Sequence, residues 1–343
     1  MNKNKKIMLL VDAIFINEGG GKVLLDYFIT KLEDTQISCL YLLDKRIEKN
    51  HPKIKSTNQV VYLNSSLLDR FKFYRNHRDS FSKIFCLGNL PPSIKMKAEV
   101  FTYFHSPLYL KTPKEFSKIE QFKYVLKRIV LKALSNNTDF WLVQSKLIKE
   151  EFQKKFKVKE DKVSLMPFYP PFRKFEGKVV RESDSFLYVS NAYPHKNHIK
   201  LIDAFCAFFD QHKKGKLILT VSDDYMDVLN MINDKIDQGY PIVNVGFVDR
   251  NELVRFYLSC QYLIFPSLAE SFGLGLVEAI DNGCNVIGAN LPYTYAVCEP
   301  SIVFNPYKVE SIIEGFTKSL NMDVVKSKSL IKNRVDDLIE LLD

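Results

Sequence analysis

The chain of 343 residues lacks any long hydrophobic run. Its longest apolar stretch, Ile7 to Ile16, is interrupted by Asp12 and falls short of the ~20 residues that a bilayer-spanning helix needs. Lysines precede that stretch as they do in secretory leaders. The internal Asp and the missing small-residue cleavage site argue against a leader, and a first β-strand is the expected reading. The six cysteines, Cys39, Cys86, Cys206, Cys260, Cys284 and Cys298, are scattered, and none forms a Cys-x-x-Cys pair. That spacing speaks against a metal site or a disulfide framework and for buried, reduced thiols in a cytoplasmic protein. There is no low-complexity tract and no internal repeat. No helix-turn-helix, RRM or zinc-finger pattern occurs either, so solenoid arrays and nucleic-acid partners are not expected.

What is present is apolar and charged material in globular proportions, 46% and 26%, with length enough for two domains. The charge is uneven. Residues 1–170 hold 31 Lys and Arg against 17 Asp and Glu, a net of +14, whereas residues 171–343 hold 18 against 23, a net of −5. The basic half points to an anionic ligand or surface facing it.

Short Val/Ile/Leu/Phe runs alternate with helical patterns along the whole chain. Strands are expected over 7–16, 37–43, 60–63, 83–88, 99–105, 139–144 and 163–167, then over 185–190, 216–222, 242–248, 261–266, 285–289 and 301–305. Helical spacing covers 22–33, 116–135, 197–213 and 274–282 among others. Such alternation predicts parallel sheets flanked by helices. Three prolines within Pro167–Pro171 can continue neither a helix nor a central strand. The expected division is a first domain over 1–168, a linker over 169–184, a second domain over 185–322, and a helical tail over 323–343 that closes the second domain or crosses back to the first. Both domains read as doubly wound α/β units facing a cleft, with functional residues just after strands.

Five stretches fit that placement. The first runs Phe265-Pro-Ser-Leu-Ala-Glu270-Ser-Phe-Gly-Leu-Gly-Leu-Val-Glu278-Ala, in which a strand ends, a loop carries Glu270 and a helix starts near Gly273. Unpaired N–H groups at such a start suit a phosphate. Glu270 and Glu278 can lie up to about 12 Å apart, wide for a glycosidase pair and suited to two contacts on one long ligand. Two surface glutamates beside a helix cap would be the plain alternative. The second stretch, Ser190-Asn191-Ala-Tyr-Pro-His195-Lys196-Asn197-His198, follows the first strand of the second domain. The third is Gly246-Phe247-Val248 after another strand. The fourth is Asn17-Glu-Gly19-Gly20-Gly21-Lys22, which matches neither Gly-x-Gly-x-x-Gly nor a P-loop and serves either a close backbone approach or a flexible turn. The fifth is Tyr103-Phe-His105-Ser-Pro107, at a strand end, where a lone His is either structural or ligand-contacting.

The first stretch, continued through Gly283-Cys-Asn-Val286, resembles the donor-site segment of the retaining GT-B glycosyltransferases, glycosyl transferases group 1 or family 4, of bacterial surface-polysaccharide type. That resemblance implies a GT-B fold of two Rossmann-like domains and a nucleotide-diphosphate sugar as donor. Glu270 would contact the donor sugar, Glu278 the ribose hydroxyls, and the N–H groups of Ser271, Phe272, Gly273 and Leu274 the pyrophosphate. Lys196 aligns with the family lysine that neutralises the diphosphate, while Asn191 stands where the family carries Arg; Ser190 precedes it. Gly246, Phe247 and Val248 would lie against the nucleotide base. Gly19, Gly20 and His105 would face the donor from the first domain, His105 beside the reacting carbon. The resemblance further implies a metal-independent, cofactor-free, retaining hexosyl transfer to a glycan, lipid-linked as in O-antigen or capsule. An epimerase or phosphorylase of the same fold, and a non-catalytic nucleotide-binding partner subunit, are the alternatives.

Two basic, apolar stretches extend the argument to a membrane. Residues 67–81 mix Arg70, Lys72, Arg75 and Arg78 with aromatics. Residues 111–135 carry seven Lys and Arg against two Glu, with Phe116, Ile119, Phe122, Leu126, Ile129 and Val130 at helical spacing. Such helices lie on anionic membranes or pack one face on a core. The expectation is a cytoplasmic protein held peripherally on the inner face of the cell membrane.

Overall fold

The computed structural model describes residues 8–113, 116–172, 175–321 and 323–343. Ile7 of the first expected strand, Lys114 and Glu115 of the basic stretch, Arg173 and Lys174 of the linker, and Met322 at the expected boundary lie outside the described residues. The chain divides into two compact units. One comprises residues 1–112, 118–170 and 332–343; the other comprises 113–117 and 171–331.

The first unit runs β1 (Leu9–Ala13), α1 (Gly19–Glu33), β2 (Cys39–Asp44), β3 (Gln59–Leu63), α2 (Leu67–Asn76), β4 (Lys83–Cys86), β5 (Glu99–Phe104), α3 (Lys118–Leu134), β6 (Phe140–Val143), α4 (Lys146–Phe156) and β7 (Val163–Leu165). Its seven strands are all parallel, in the order β3-β2-β1-β4-β5-β6-β7. The central strands β1 and β2 are buried at every position, which is why they read as unbroken apolar runs.

The exception inside β1 is Asp12. Its Oδ2 lies 2.8 Å from Arg70 Nε and 2.5 Å from the Tyr74 hydroxyl, and Arg70 also donates to the Leu90 and Pro91 carbonyls at 2.9 and 2.6 Å. An ion pair this deep persists because nearly every polar group in it has a partner. It corrects the reading of residues 67–81 as one exposed cationic and aromatic surface: Arg70, Phe73, Tyr74 and Phe81 are buried, and only the remainder of α2 faces solvent.

The second unit runs β8 (Glu182–Tyr188), α5 (His198–His212), β9 (Lys216–Leu219), α6 (Met226–Asp237), β10 (Ile242–Asn244), α7 (Arg250–Ser259), β11 (Cys260–Phe265), α8 (Leu274–Asp281), β12 (Asn285–Ala289), α9 (Pro292–Val297), β13 (Cys298–Glu299), β14 (Ile302–Phe304), α10 (Val309–Lys318) and β15 (Lys328–Ser329). Six parallel strands follow the order β10-β9-β8-β11-β12-β14, and β13 pairs antiparallel with β15. A final helix, α11 (Val335–Leu342), packs on the first unit. There Asn333 Nδ2 donates to the Tyr27 hydroxyl at 2.9 Å, and Lys83 Nζ to the Leu341 carbonyl at 3.1 Å.

The tail is therefore helical only from Val335, not from residue 323. Ser327 Oγ accepts from the N–H groups of Val286 and Ser301, and Leu330 N–H donates to the Val297 carbonyl, so the backbone here is spent on sheet pairing. Val325 and Leu330, which carried the helical spacing, are exposed. All six cysteines are buried and unpaired with one another. Among the described residues, no helix is long and apolar enough to cross a membrane.

Candidate active site

In each sheet the strand order reverses once, between β1 and β4 in the first unit and between β8 and β11 in the second. The carboxyl ends of the strands flanking such a reversal splay their loops apart and leave a crevice. The loops after β8 and β11 carry the two strongest motifs of the sequence.

After β8 the chain passes Ser190 and Asn191 and makes one tight 3-10 turn over Pro194–Lys196. It then adopts a left-handed conformation at Asn197 (φ 64°), which opens α5. Asn tolerates this conformation better than most residues. Its side chain also serves as a bracket: Asn197 Nδ2 donates to the Pro266 carbonyl at 3.3 Å and to the Pro306 carbonyl at 2.8 Å. The loop after β11 is tied to the same place, with Leu268 N–H donating to the His195 carbonyl at 2.7 Å and the Tyr293 hydroxyl to the Ser267 carbonyl at 2.6 Å. Two loops far apart in sequence are thereby held together by one backbone hydrogen bond and by the Asn197 side chain.

The consequence is an ion pair: Lys196 Nζ lies 2.5 Å from Glu270 Oε1, with both side chains mostly withdrawn from solvent. Just beyond Glu270, Gly273 sits at φ 64°, where a Cβ would meet Leu276 Cδ1 at 2.9 Å. Glycine is favoured there by conformation, and a side chain would also force the Leu276 methyl to shift. The N-cap of α8 is Gly273, which has no side chain to cap the helix, and a helix start of this kind presents backbone N–H groups suited to phosphate. Ser271 to Leu274 make up this turn, and Phe272 is buried beneath it.

Glu278, in the second turn of α8, is buried and fully engaged. Arg250, the first residue of α7, pairs with its Oε1, and the Tyr257 hydroxyl donates to its Oε2 at 3.0 Å. The Arg250 guanidinium also lies over the Phe172 ring, 4.2 Å from its centroid. Burial raises the Glu278 carboxyl above the ordinary glutamate range, and Arg250 pulls it back down. Arg250 and Tyr257 were not among the expected site residues. In the sequence Arg250 is one more polar residue after the Gly246 turn, and nothing around it marks a cation aimed at a glutamate 28 positions on.

The other expected residues are placed separately. Ser190 N–H donates to Thr220 Oγ1 at 3.1 Å, and Ser190 Oγ to the Asn191 carbonyl at 3.0 Å. Gly246 turns the chain after the edge strand β10 with φ 69°, leaving Phe247 81% exposed and Val248 partly so. His198 is a core residue, its ring against Tyr188 at 4.7 Å and its imidazolium pushed down to about 3 by burial.

On the first unit, His105 follows β5. Asn89, itself at φ 66°, accepts from the His105 and Ser106 N–H groups at 2.7 and 3.0 Å, and its Nδ2 lies 3.3 Å from His105 Nε2. Burial pushes the His105 imidazolium down to about 4 despite a hydrogen bond to the Leu87 carbonyl, so the ring is neutral at physiological pH. The glycine run is not a loop but the first turn of α1. Gly19 takes φ 63°, and Gly20 is open. Gly21 is the one that admits His105, whose Cε1 would lie 3.3 Å from a Cβ there.

Two Rossmann-like units of these topologies define the fold class of the GT-B glycosyltransferases. Residues 172–335, which take in most of the second unit, match the family described as Glycosyl transferases group 1. The chain is 25% identical over 186 residues to the O-antigen chain mannosyltransferase RfbU of Salmonella typhimurium, covering 54% of this chain and 50% of that protein. It is 32% identical over 80 residues to the serotype-specific mannosyltransferase WbdA of Escherichia coli, covering 23% of this chain and 10% of that one. The chain thus spans half or less of the length of the curated relatives it matches. In structure it resembles a sucrose-phosphate synthase from Thermosynechococcus elongatus, with TM-score 0.70 at 17% identity over 92% of this chain and 90% of that one. It also resembles HepE of Anabaena in complex with UDP and glucose, with TM-score 0.64 at 13% identity and the same coverage.

Proposed function

We propose that this protein transfers a sugar from a nucleotide-diphosphate sugar to a hydroxyl of a glycan acceptor, with retention of anomeric configuration. The observation that carries this reading is the Lys196–Glu270 pair at the β8/β11 reversal, 2.5 Å across and next to the glycine-capped start of α8. A donor diphosphate would replace the Glu270 carboxylate as the partner of the Lys196 ammonium and accept from the first N–H groups of α8. Glu270, released, would accept from a donor-sugar hydroxyl, and Glu278 from the ribose. Asn191 supplies an amide where a second cation would otherwise stand. On the first unit, the candidate contacts are Gly19, Gly20 and the neutral imidazole of His105.

In the transfer, the bond from the anomeric carbon to the diphosphate oxygen breaks with its electron pair going to the phosphate. The acceptor oxygen bonds on the same face, and its proton passes to the departing diphosphate. No carboxylate nucleophile is needed. This agrees with both site glutamates being paired to cations, Glu270 with Lys196 and Glu278 with Arg250. The positive charge comes from Lys196 and the helix start, so the transfer is proposed to run without a metal.

The names of the relatives, both mannosyltransferases of surface-antigen type, support a mannosyl donor and a lipid-carried surface polysaccharide as the first pair to test. The net +14 of residues 1–170 supports a peripheral position on the anionic inner face of the cell membrane.

The decisive experiment is a thermal-shift panel of UDP, GDP, ADP and CMP followed by the matching sugars. A cognate nucleotide at a hundred times its Kd adds about 2.7 kcal/mol of stability. A flat panel sinks the donor site. With a donor in hand, NMR of the product's anomeric proton decides retention, and an unchanged rate in chelator decides the metal.

A further inference from the structure

Helix α3 is amphipathic, and its apolar stripe faces outward. The helix holds the first unit by one side only. Leu131 is its sole fully buried residue, and Tyr124 and Val130 pack with it against the core of Phe104, Tyr109, Trp141 and Phe152. At about 100° per residue, Ile119, Phe122, Leu126 and Ile129 fall together on the opposite side. They are 70%, 61%, 48% and 59% exposed, and Val125 beside them is exposed too. A soluble helix usually turns such a stripe inward, and a contiguous outward one marks an interaction surface.

The charges around the stripe identify what it meets. Lys123 borders one edge of it, and Lys118 and Lys132 the other, all exposed. The one acidic residue of the helix, Glu120, lies toward the packed side. Lys127 lies over the Tyr124 ring, 4.7 Å from the centroid, away from the stripe. An apolar centre with cations on both margins and no carboxylate between is complementary to acyl chains beneath anionic headgroups. A second copy of the chain fits poorly. Two such faces would bring lysines against lysines, and five side chains fall well short of the roughly 20 residues a side of a stable interface.

We infer that α3 is the element by which the protein docks on an anionic lipid surface. In this arrangement Ile119, Phe122, Leu126 and Ile129 enter the acyl boundary, and Lys118, Lys123 and Lys132 lie at headgroup level. This rests on the peripheral membrane position proposed above and names its contact.

The test is co-sedimentation of the full chain with vesicles of phosphatidylglycerol and phosphatidylcholine, against vesicles of phosphatidylcholine alone, at low and high salt. The Phe122→Ser/Ile129→Ser variant removes apolar bulk at two exposed positions. It is expected to keep the wild-type melting temperature and nucleotide response while binding anionic vesicles at least about ten-fold more weakly. The Lys118→Gln/Lys123→Gln/Lys132→Gln variant should lose most of the preference for the anionic vesicles. If the serine variant binds like wild type, α3 is not the docking element, although the membrane position stands. If wild type ignores anionic vesicles at low salt, both readings fail. If wild type instead forms a dimer that the serine variant dissociates, and lipid has no effect, the stripe is a self-association face and the inference is overturned.

Discussion

Lys196 and Glu270 lie 74 positions apart in the chain, yet Nζ and Oε1 are 2.5 Å apart. Neither side chain is positioned by its own helix. Each hangs from a loop, and the two loops are locked by the Leu268 to His195 backbone hydrogen bond and by the Asn197 amide reaching the Pro266 carbonyl. A pair whose loops are locked in this way is organised before any ligand arrives, which is what electrostatic assistance to a leaving group requires.

That organisation fixes the first prediction. Lys196→Ala should lower kcat by roughly 10²- to 10³-fold, the usual loss when one preorganised donor to a developing charge is removed. Glu270→Ala should reduce turnover sharply as well, and the double variant should lose less than the product of the two, because each partner acts through the other. Steady-state kinetics of the three proteins decide it. Unchanged kcat in both single variants would remove the pair from the reaction.

Arg250 and Glu278 yield a second prediction, about stability and pH. Burial raises the Glu278 carboxyl, and Arg250 opposes that rise. A group whose folded pKa is raised contributes stability that is fully present below its unfolded pKa and lost as pH rises through the folded value. Taking away Arg250 raises that value further. Arg250→Ala should therefore melt close to wild type in acid and fall behind toward neutral pH, where a buried carboxylate without its cation costs about 2 kcal/mol. Melting curves from acid to neutral pH test the sign. A gap that stays constant would show that only packing on Phe172 was lost. Glu278→Ala should mainly weaken donor binding.

The alternation of apolar runs and helical spacing made the two sheets legible, because buried parallel strands must be apolar at successive positions. Leu9–Ala13 and Cys39–Asp44 are buried throughout. The loop holding Glu270 and the helix starting after Gly273 were legible for a different reason: the segment resembles the donor-site segment of the group 1 glycosyltransferases, whereas the spacing of the two glutamates alone is uninformative. What escaped the sequence were side-chain choices made in three dimensions. Arg250 looked like any helix-start residue until the fold set it against Glu278, and Arg70 looked like surface charge until the fold buried it on Asp12. The tail shows a third limit. Val325 and Leu330 keep helical spacing by coincidence, while Ser327 draws the backbone into a sheet.

His105 supports a third prediction. Its imidazolium is pushed down to about 4 by burial. A histidine whose folded pKa lies below its unfolded one, near 6.5, contributes stability present above the unfolded value and lost as pH falls through the folded value. Stability should therefore decline as pH drops from about 6.5 toward 4, and His105→Gln should flatten that decline. His198, pushed to about 3, contributes in the same direction and remains in the variant. Urea unfolding at a series of pH values measures the slope, and an NMR titration of the His105 ring measures its cause. A ring that titrates near 6.5 would deny the prediction.

The glycines at the start of α1 separate structure from function by position. Gly19 takes φ 63°, so Gly19→Ala should cost about 1–2 kcal/mol through strain alone. Gly20 lies inside α1 with nothing within 4 Å of where its Cβ would be, so Gly20→Ala should stabilise the fold by about 0.5–1 kcal/mol. Gly21→Ala would press on His105 Cε1 and Ile16 Cδ1, each 3.3 Å away, and should shift the His105 ring. Gly20 is thus the position where a glycine is unnecessary for folding. If its bareness serves a ligand approaching the backbone, Gly20→Ala should raise the melting temperature and weaken nucleotide-sugar affinity in the same protein. Calorimetry and a donor titration read the two effects separately. A variant that gains stability and binds donor as well as wild type would show that the first turn of α1 meets no donor.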